Sequence, residues 1–403
     1  MVDFNKIQAL RPLTTDFKSI FLPLFSASKA LRPPKSSAAV VHQIGQLALN
    51  IYCPPVKIPQ YENLLCQEMA RKRADYDTHQ PVKSFWFLGH PFKQLSPEAI
   101  TELCFRFSNH FPHNSDLNTV RGIAVTAADL DKATLALLAG LKFNCVQMHI
   151  DALVASKDRS LNKVSAGLGV LADYGQVKLN CKIRFSDQSH PGFLMRLLDL
   201  VEDANCQQVE LVCVPPHHPT AVSEKAMYRE QFVAINKHYG DRNWLICGNN
   251  TCYAPEHENN ELHKQRRLQL TPWGYYGQSI QTQLGVGVGA LSSLGNSYEL
   301  NTSTTEHYLH SISDEQALST TQYQLKSDNS GLMKLMQDLL CYHQIKENVG
   351  AWTAMLKPII EHGWLQPVDG TLQLTEQGTI YLTSICKFLF SQTNNEGYNH
   401  TNG

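Results

Sequence analysis

The sequence predicts an α/β fold built on a parallel sheet. From Leu47 onward, apolar runs of strand length alternate with longer segments of helical period, and the alternation continues for about 200 residues. Capping and turn residues stand at the joints. The first run, Leu47–Cys53, is almost wholly apolar, and Ser84–Leu88 is aromatic. Thr119–Thr126, Cys145–Asp151 and Val177–Phe185 follow, and Gln208–Val214 and Asn243–Cys247 complete the series. Between them, Ser96-Pro97-Glu98 opens a helix with proline at its first position, and Ala128-Asp129 opens another that ends at Gly140. Right-handed strand-helix-strand connections turn this series into an open doubly wound sheet or a complete or partial barrel; periodicity does not choose between them.

Composition narrows the class. The 403 residues carry 35 Lys+Arg against 36 Asp+Glu and are 43% hydrophobic, which excludes disorder and any global field that would attract nucleic acid or an anionic membrane. The cysteines fall singly in apolar runs, not at disulfide or ligand spacing, as suits a reducing, cytoplasmic location. No apolar run is long enough to cross a membrane, and Met1 to Lys18 lack a signal-peptide core.

Five segments are expected. Residues 1–46 form an N-terminal arm broken at Pro33-Pro34, and 47–250 hold the strand-helix series. Residues 251–329 include a Gly-rich stretch, read as a loop beyond the strand region that completes the pocket. Residues 330–390 read as helix, helix, hairpin turning at Asp369-Gly370, and helix, a winged-helix-like lobe; 391–403 form a flexible tail.

The chemistry is sparse. Gly285, Gly287 and Gly289 let a backbone approach a flat or anionic ligand, or simply permit tight packing. No phosphate loop, nucleophile elbow or His-Glu-x-x-His helix occurs. His217-His218 reads as a loop pair, Cys247 and Cys252 lack a partner pair for zinc, and Cys53 reads as a buried strand cysteine.

Trp273 to Gln278, Leu284 to Ala290 and Gly295 to Tyr298 resemble the corresponding stretch of the oxygen-independent coproporphyrinogen III oxidase family of radical S-adenosylmethionine (SAM) proteins. The likeness continues through Pro358 to Leu365 and Leu374 to Gly378 to Cys386, and backward through Tyr253-Ala254-Pro255. It implies a partial (β/α)6-type barrel with a C-terminal helical lobe. The chain departs from the family at the cofactor. A Cys-x3-Cys-x2-Cys loop holds the family's [4Fe–4S] cluster; here Tyr52-Cys53-Pro54-Pro55 stands at that place and Val56 to Pro59 run directly into Gln60-Tyr61. The family's glycine-rich turn after the second strand reads Phe87 to Pro91, its third-strand carboxylate falls at Ala124, and its fourth-strand pattern reads His149-Ile150-Asp151.

The expectation is a cytoplasmic relative with no cofactor, the cluster and SAM being those of the family, that acts as a non-catalytic tetrapyrrole (haem or porphyrin)-binding or accessory protein. Gly274, Tyr275, Gln278, Gly285, Gly287, Asn296 and Tyr298 would line or shape its pocket, with Arg184, Arg266 and Arg267 as partners for propionates. Expected partners are the tetrapyrrole and a homologous enzyme or haem-metabolism protein, with no nucleic acid or membrane. Two alternatives stand beside it: a radical SAM-type porphyrin oxidoreductase with an unusual or partner-supplied cluster, and a protein-interaction scaffold.

Overall fold

The structure, a computed structural model, describes residues 16–30, 46–75, 82–111, 119–152, 158–175, 177–186, 189–214, 222–295, 297–313, 320–326, 329–346 and 349–396. His217 and His218 lie outside them, as do residues 397–403 of the tail. Strand β1 (Phe25–Ala30) precedes a parallel block of β2 (Gln46–Cys53), β3 (Val82–Gly89), β4 (Val120–Thr126), β5 (Cys145–Asp151), β6 (Lys178–Phe185) and β7 (Gln208–Cys213). Each of these last six lies where the apolar runs predict a strand, within two residues.

Helices separate the strands as the caps foretell. Ser96 accepts from the Ala99 N–H to open helix Pro97–His110. Asp131 opens helix Lys132–Gly140, slightly later than Ala128-Asp129 suggests, because Thr126 and Asp129 close a 3-10 turn of their own. The outward rows of the strands pack on the helices in the main core: Leu49, Ile51, Phe85, Phe87, Ile183 and Leu211 are each at most 1% exposed. Burying one such side chain is worth about 1.5–3 kcal/mol.

The seventh predicted strand differs. β8 (Leu245–Cys247) turns tightly at Gly248 into β9 (Thr251–Tyr253), and β9 inserts antiparallel between β7 and β8. A three-residue turn is too short for a crossover, so the parallel series ends at β7.

The Gly-rich region is mostly strand, not loop. β10 (Leu268–Thr271) and β11 (Gly274–Gly277) form a hairpin. β12 (Ile280–Val286) pairs parallel with β2, and β13 (Leu291–Leu294), β14 (Ser297–Asn301) and β15 (Thr320–Leu325) continue antiparallel. β1 completes the sheet against β15, so part of the N-terminal arm is an edge strand. The sheet runs β1-β15-β14-β13-β12-β2-β3-β4-β5-β6-β7-β9-β8 and stays open between its edges β1 and β8.

The C-terminal segment keeps the predicted helices and hairpin but adds a strand: helix Ser330–Tyr342, β16 (Gln344–Ile345), helix Thr353–Glu361, β17 (Leu365–Val368), β18 (Thr371–Leu374) and helix Leu382–Glu396, with β16 pairing on β18 and the last helix taking in residues 391–396 of the expected tail. A second core joins it to the N-terminal segment and the β10–β11 hairpin through Leu335, Leu339, Phe21 and Leu270.

Two half-buried histidines tie fold to pH. His343 Nε2 lies 2.6 Å from the Gly248 carbonyl and bonds the lobe to the β8–β9 turn, while His257 Nδ1 accepts from the Asn259 N–H. Burial holds both well below the ordinary value of 6.5, at about 4. The unfolded chain takes up protons near pH 6.5 that the folded chain refuses. Stability is therefore full above pH 6.5 and falls as pH drops toward 4. Urea midpoints between pH 7 and 4.5 should show this fall. His343→Asn, which tolerates the left-handed backbone at that position (φ 54°), should make the fall shallower by the share of His343 while that of His257 remains; an unchanged slope would refute the assignment.

Candidate functional site

Side chains alternate across a strand, so packing the apolar row of each strand on the helices turns its other row inward. Along β5 the inward residues are Gln147, His149 and Asp151; along β6, Asn180, Lys182 and Arg184; along β7, Gln208 and Glu210. The apolar residues between them, such as Ile150 and Ile183, lie in the main core. At the carboxyl ends of the parallel strands these inward rows form one wall of a cleft of about 1010 Å³. Leu270, Trp273 and Tyr275 of the hairpin region, with Val288 and Leu291, give the same cleft an apolar lining, and Phe17 and Lys18 also reach it. A smaller hollow of about 490 Å³ lies elsewhere, against the helical layer near Cys66 and Arg106.

The strand wall is charged but balanced. Lys182 Nζ sits 2.8 Å from Glu210 Oε1, both about 30% exposed, and Arg184 is 3.3 Å from Asp151 at about 50% exposure. The second pair is solvated and holds its partners weakly, so Arg184 is available to a ligand anion. His149 Nε2 lies 3.1 Å from Gln147 Oε1. Burial, then the charges of Lys182 and its neighbours, push His149 down to about 3, and His90 is lowered by burial and by Lys93 and Arg184. Both imidazoles are thus neutral at physiological pH.

The Gly-rich turn that carries Val288 and Gly289 is fixed from behind. Glu68, fully buried on helix Tyr61–Asp75, accepts from the Gly287 N–H at 2.8 Å, Asn301 Nδ2 at 2.7 Å and Tyr308 Oη at 2.5 Å. Lys72 pairs with it at 3.2 Å, bonds Ser292 Oγ at 3.0 Å and donates to the Gly285 carbonyl. Burial and Glu68 raise the Tyr308 phenol, which keeps its proton and donates it. At the rim, Lys18 Nζ donates to the Gly289 carbonyl at 3.0 Å.

The residues named from sequence divide accordingly. Gly274 and Tyr275 line the cleft, as does Arg184. Gly285 and Gly287 lie one layer behind it, against the Leu291 backbone and Tyr61. Gln278 is exposed at the far end of β11, where its N–H bonds the Arg267 carbonyl. Tyr298 is buried against Phe17 and Phe25 in the second core. Asn296 falls outside the described residues. Arg266 pairs with Asp338 and stacks 4.2 Å above the Tyr342 ring, and exposed Arg267 contacts Gln265; neither lines the cleft. His90, His149, Lys182 and Glu210 are not among the pocket residues expected from sequence. Their signal is a polar residue at every second position near the ends of apolar strands, as in Lys182-Ile183-Arg184 and Gln208-Val209-Glu210.

The β2-to-helix connection is only Pro54 to Gln60, held by the buried Gln94 amide. Its Nε2 donates to the Pro54 carbonyl at 2.7 Å and to that of Val56, and its Oε1 accepts from the Ile58 N–H. Cys53 is fully buried, and burial pushes its thiol far up. Among the described residues no three cysteines converge. The one grouping of three metal-capable side chains there is Asp199, Glu202 and His238, outside the cleft, where Arg242 already bridges both carboxylates.

An open barrel of parallel strands with its cleft at their carboxyl ends and an added helical lobe is a fold this chain shares with a solved radical SAM enzyme. The structure of coproporphyrinogen III oxidase (HemN) from Escherichia coli, a radical SAM enzyme, superposes with a TM-score of 0.75 over 97% of this chain and 99% of that one, at 16% identity. HydG, a maturase of the [FeFe]-hydrogenase, gives a TM-score of 0.34 at 8% identity, too distant to bear on the site. No family model and no curated protein matches the sequence. The shared fold supports the partial barrel. It also corrects one expectation: the protein whose fold this chain shares is a radical SAM enzyme, so the sequence-based expectation of no cofactor is withdrawn. No helix among the described residues is long and apolar enough to cross a membrane.

Proposed function

We propose that the chain is a tetrapyrrole-binding accessory protein whose cleft takes a carboxylate-bearing macrocycle. The observation that carries this is the cleft's mixed lining: apolar Trp273, Tyr275 and Leu291 share it with Lys182 and Arg184, which can exchange carboxylate partners. A porphyrin presents the complementary surface, with flat apolar faces and a rim of carboxylates. At about 1010 Å³ the cleft stands at the upper end of the roughly 300–1,000 Å³ range of ligand sites. Trp273 Nε1 is bonded to the Leu291 carbonyl at 2.8 Å, which keeps the apolar lining preformed. On this reading the partner is a homologous enzyme or haem-metabolism protein that supplies or receives the ligand.

The test is a Soret titration with haem and with coproporphyrin III. Saturable binding at micromolar concentration or tighter is expected for at least one. Arg184→Gln, a substitution at a half-exposed site, should weaken it about tenfold, the loss of one charge-assisted hydrogen bond. Absence of binding by either tetrapyrrole overturns the reading and favours the interaction scaffold. The fold neighbour favours the enzyme alternative, so turnover is assayed separately. Decarboxylation of coproporphyrinogen III after anaerobic reconstitution with iron, sulfide and SAM would replace the accessory role with catalysis.

A further inference from the structure

The cleft holds a feature that its size and charge do not explain. His90, directly after β3, and His149, on β5, meet across β4 with ring centroids 5.8 Å apart and planes at 90°, and both line the cleft. The small inward residues of β4, Ala124 and Thr126, leave room for this contact between strands that are not neighbours. The two rings differ in what they have left to offer. His149 is committed to Gln147, with Gln147 Oε1 accepting from Nε2. The His90 imidazole has no hydrogen bond to any described residue; its backbone N–H is anchored on the Cys53 carbonyl at 2.8 Å, and its ring is steadied by the His149 edge. An unprotonated ring nitrogen in a ligand cleft, with no partner among the described residues, is a metal ligand in waiting.

The surroundings narrow the metal. Lys93 and Arg184 act on His90 against Asp129, Lys182 and Arg184 act on His149, and Lys182 and Arg184 are themselves paired with Glu210 and Asp151. Among the described residues neither ring belongs to a group of three metal-capable side chains that would hold a free cation, whereas a metal carried inside a macrocycle brings its other ligands with it and needs only one from the protein. Burial and the same cations also keep both imidazoles unprotonated.

Resting on the tetrapyrrole reading above, we propose that the cleft selects an iron porphyrin over a metal-free one, with His90 as the axial ligand to iron and His149 as the residue that orients it. The nitrogen lone pair of His90 forms the bond to ferric iron and a bound water leaves; no electron is transferred.

The experiment titrates the full chain with ferric haem and with metal-free protoporphyrin, reading the Soret band and the electron paramagnetic resonance of the iron. Wild type is expected to bind haem at least tenfold more tightly than the metal-free macrocycle and to show a nitrogen-ligated ferric signal. His90→Ala should lose that signal and bind haem no better than the metal-free ring. Added imidazole should restore the signal, which shows that the variant's cleft is intact. His149→Ala should keep the signal with weaker binding. A ligation signal that survives His90→Ala overturns the proposal. If the metal-free porphyrin binds as tightly as haem, iron selection fails while tetrapyrrole binding stands. If neither binds, both fall together.

Discussion

Lys72→Met is expected to cost about 3–5 kcal/mol of folding stability, because it breaks a buried ion pair from one side only. Lys72 and Glu68 are 3% and 0% exposed, one helical turn apart on helix Tyr61–Asp75, and 3.2 Å from each other. Removing the ammonium leaves a carboxylate buried with neutral donors alone: the Gly287 N–H, Asn301 and Tyr308. It also strips the Gly285 carbonyl and Ser292 Oγ of their charged donor. The measurement is urea unfolding, with the midpoint lowered and the slope unchanged. Adding Glu68→Gln to Lys72→Met should recover part of the loss, because the uncompensated charge disappears with it. A single variant within about 1 kcal/mol of wild type would show that water or relaxation replaces the pair, and the network could not then be credited with fixing the turn that carries Val288 and Gly289.

Gly287→Ala is expected to cost about 3 kcal/mol and to disturb the cleft as well as the fold. The backbone there has φ 113°, and an added Cβ would lie 2.4 Å from Tyr61 Oη and 2.5 Å from the Tyr52 carbonyl. Tyr61 cannot step aside cheaply, since its hydroxyl donates to the Tyr52 carbonyl at 2.7 Å and accepts from the Val288 N–H at 3.1 Å. The strain therefore passes to Val288 and Gly289, which line the cleft. Gly274→Ala is the control. It too has positive φ, at 115°, but a Cβ there meets nothing within 4 Å, so only the backbone penalty of about 1 kcal/mol is expected. Equal losses at the two positions would mean that conformation alone, and not the close approach to Tyr61, requires glycine at 287.

The parallel strands and the lobe were legible because their signals are local. β2 through β7 announce themselves by apolar, β-branched and aromatic runs, and the lobe by its helix periods and the Asp369-Gly370 turn. The Gly-rich region was not legible as sheet, since β12 to β14 are rich in Gly, Ser, Gln and Asn, and their pairing is long-range: Ile280 to Val286 lie beside Gln46 to Ile51. Nor could the chain show that Phe25 pairs with Leu325. The site divides in the same way. Tyr275 and Gly274 were reached through the resemblance, but the same reasoning placed Gly285 and Gly287 at a ligand and Tyr298 in a pocket. Glycine in a sequence records that a backbone must come close to something, without recording what. Here the close partners are a tyrosine hydroxyl and a neighbouring strand.

By itself, then, the sequence determined the α/β class, the register of alternation on each parallel strand and hence which residues share a face. Only the tertiary structure decided which face turns inward, that His90 and His149 meet across β4, and that a buried ion pair on one helix holds the Gly-rich turn. Alternation is a property of two or three neighbouring residues and is written into the chain. Facing and meeting depend on how distant segments pack, because the apolar rows are drawn to whichever helices cover them and the polar rows are left to line what remains open.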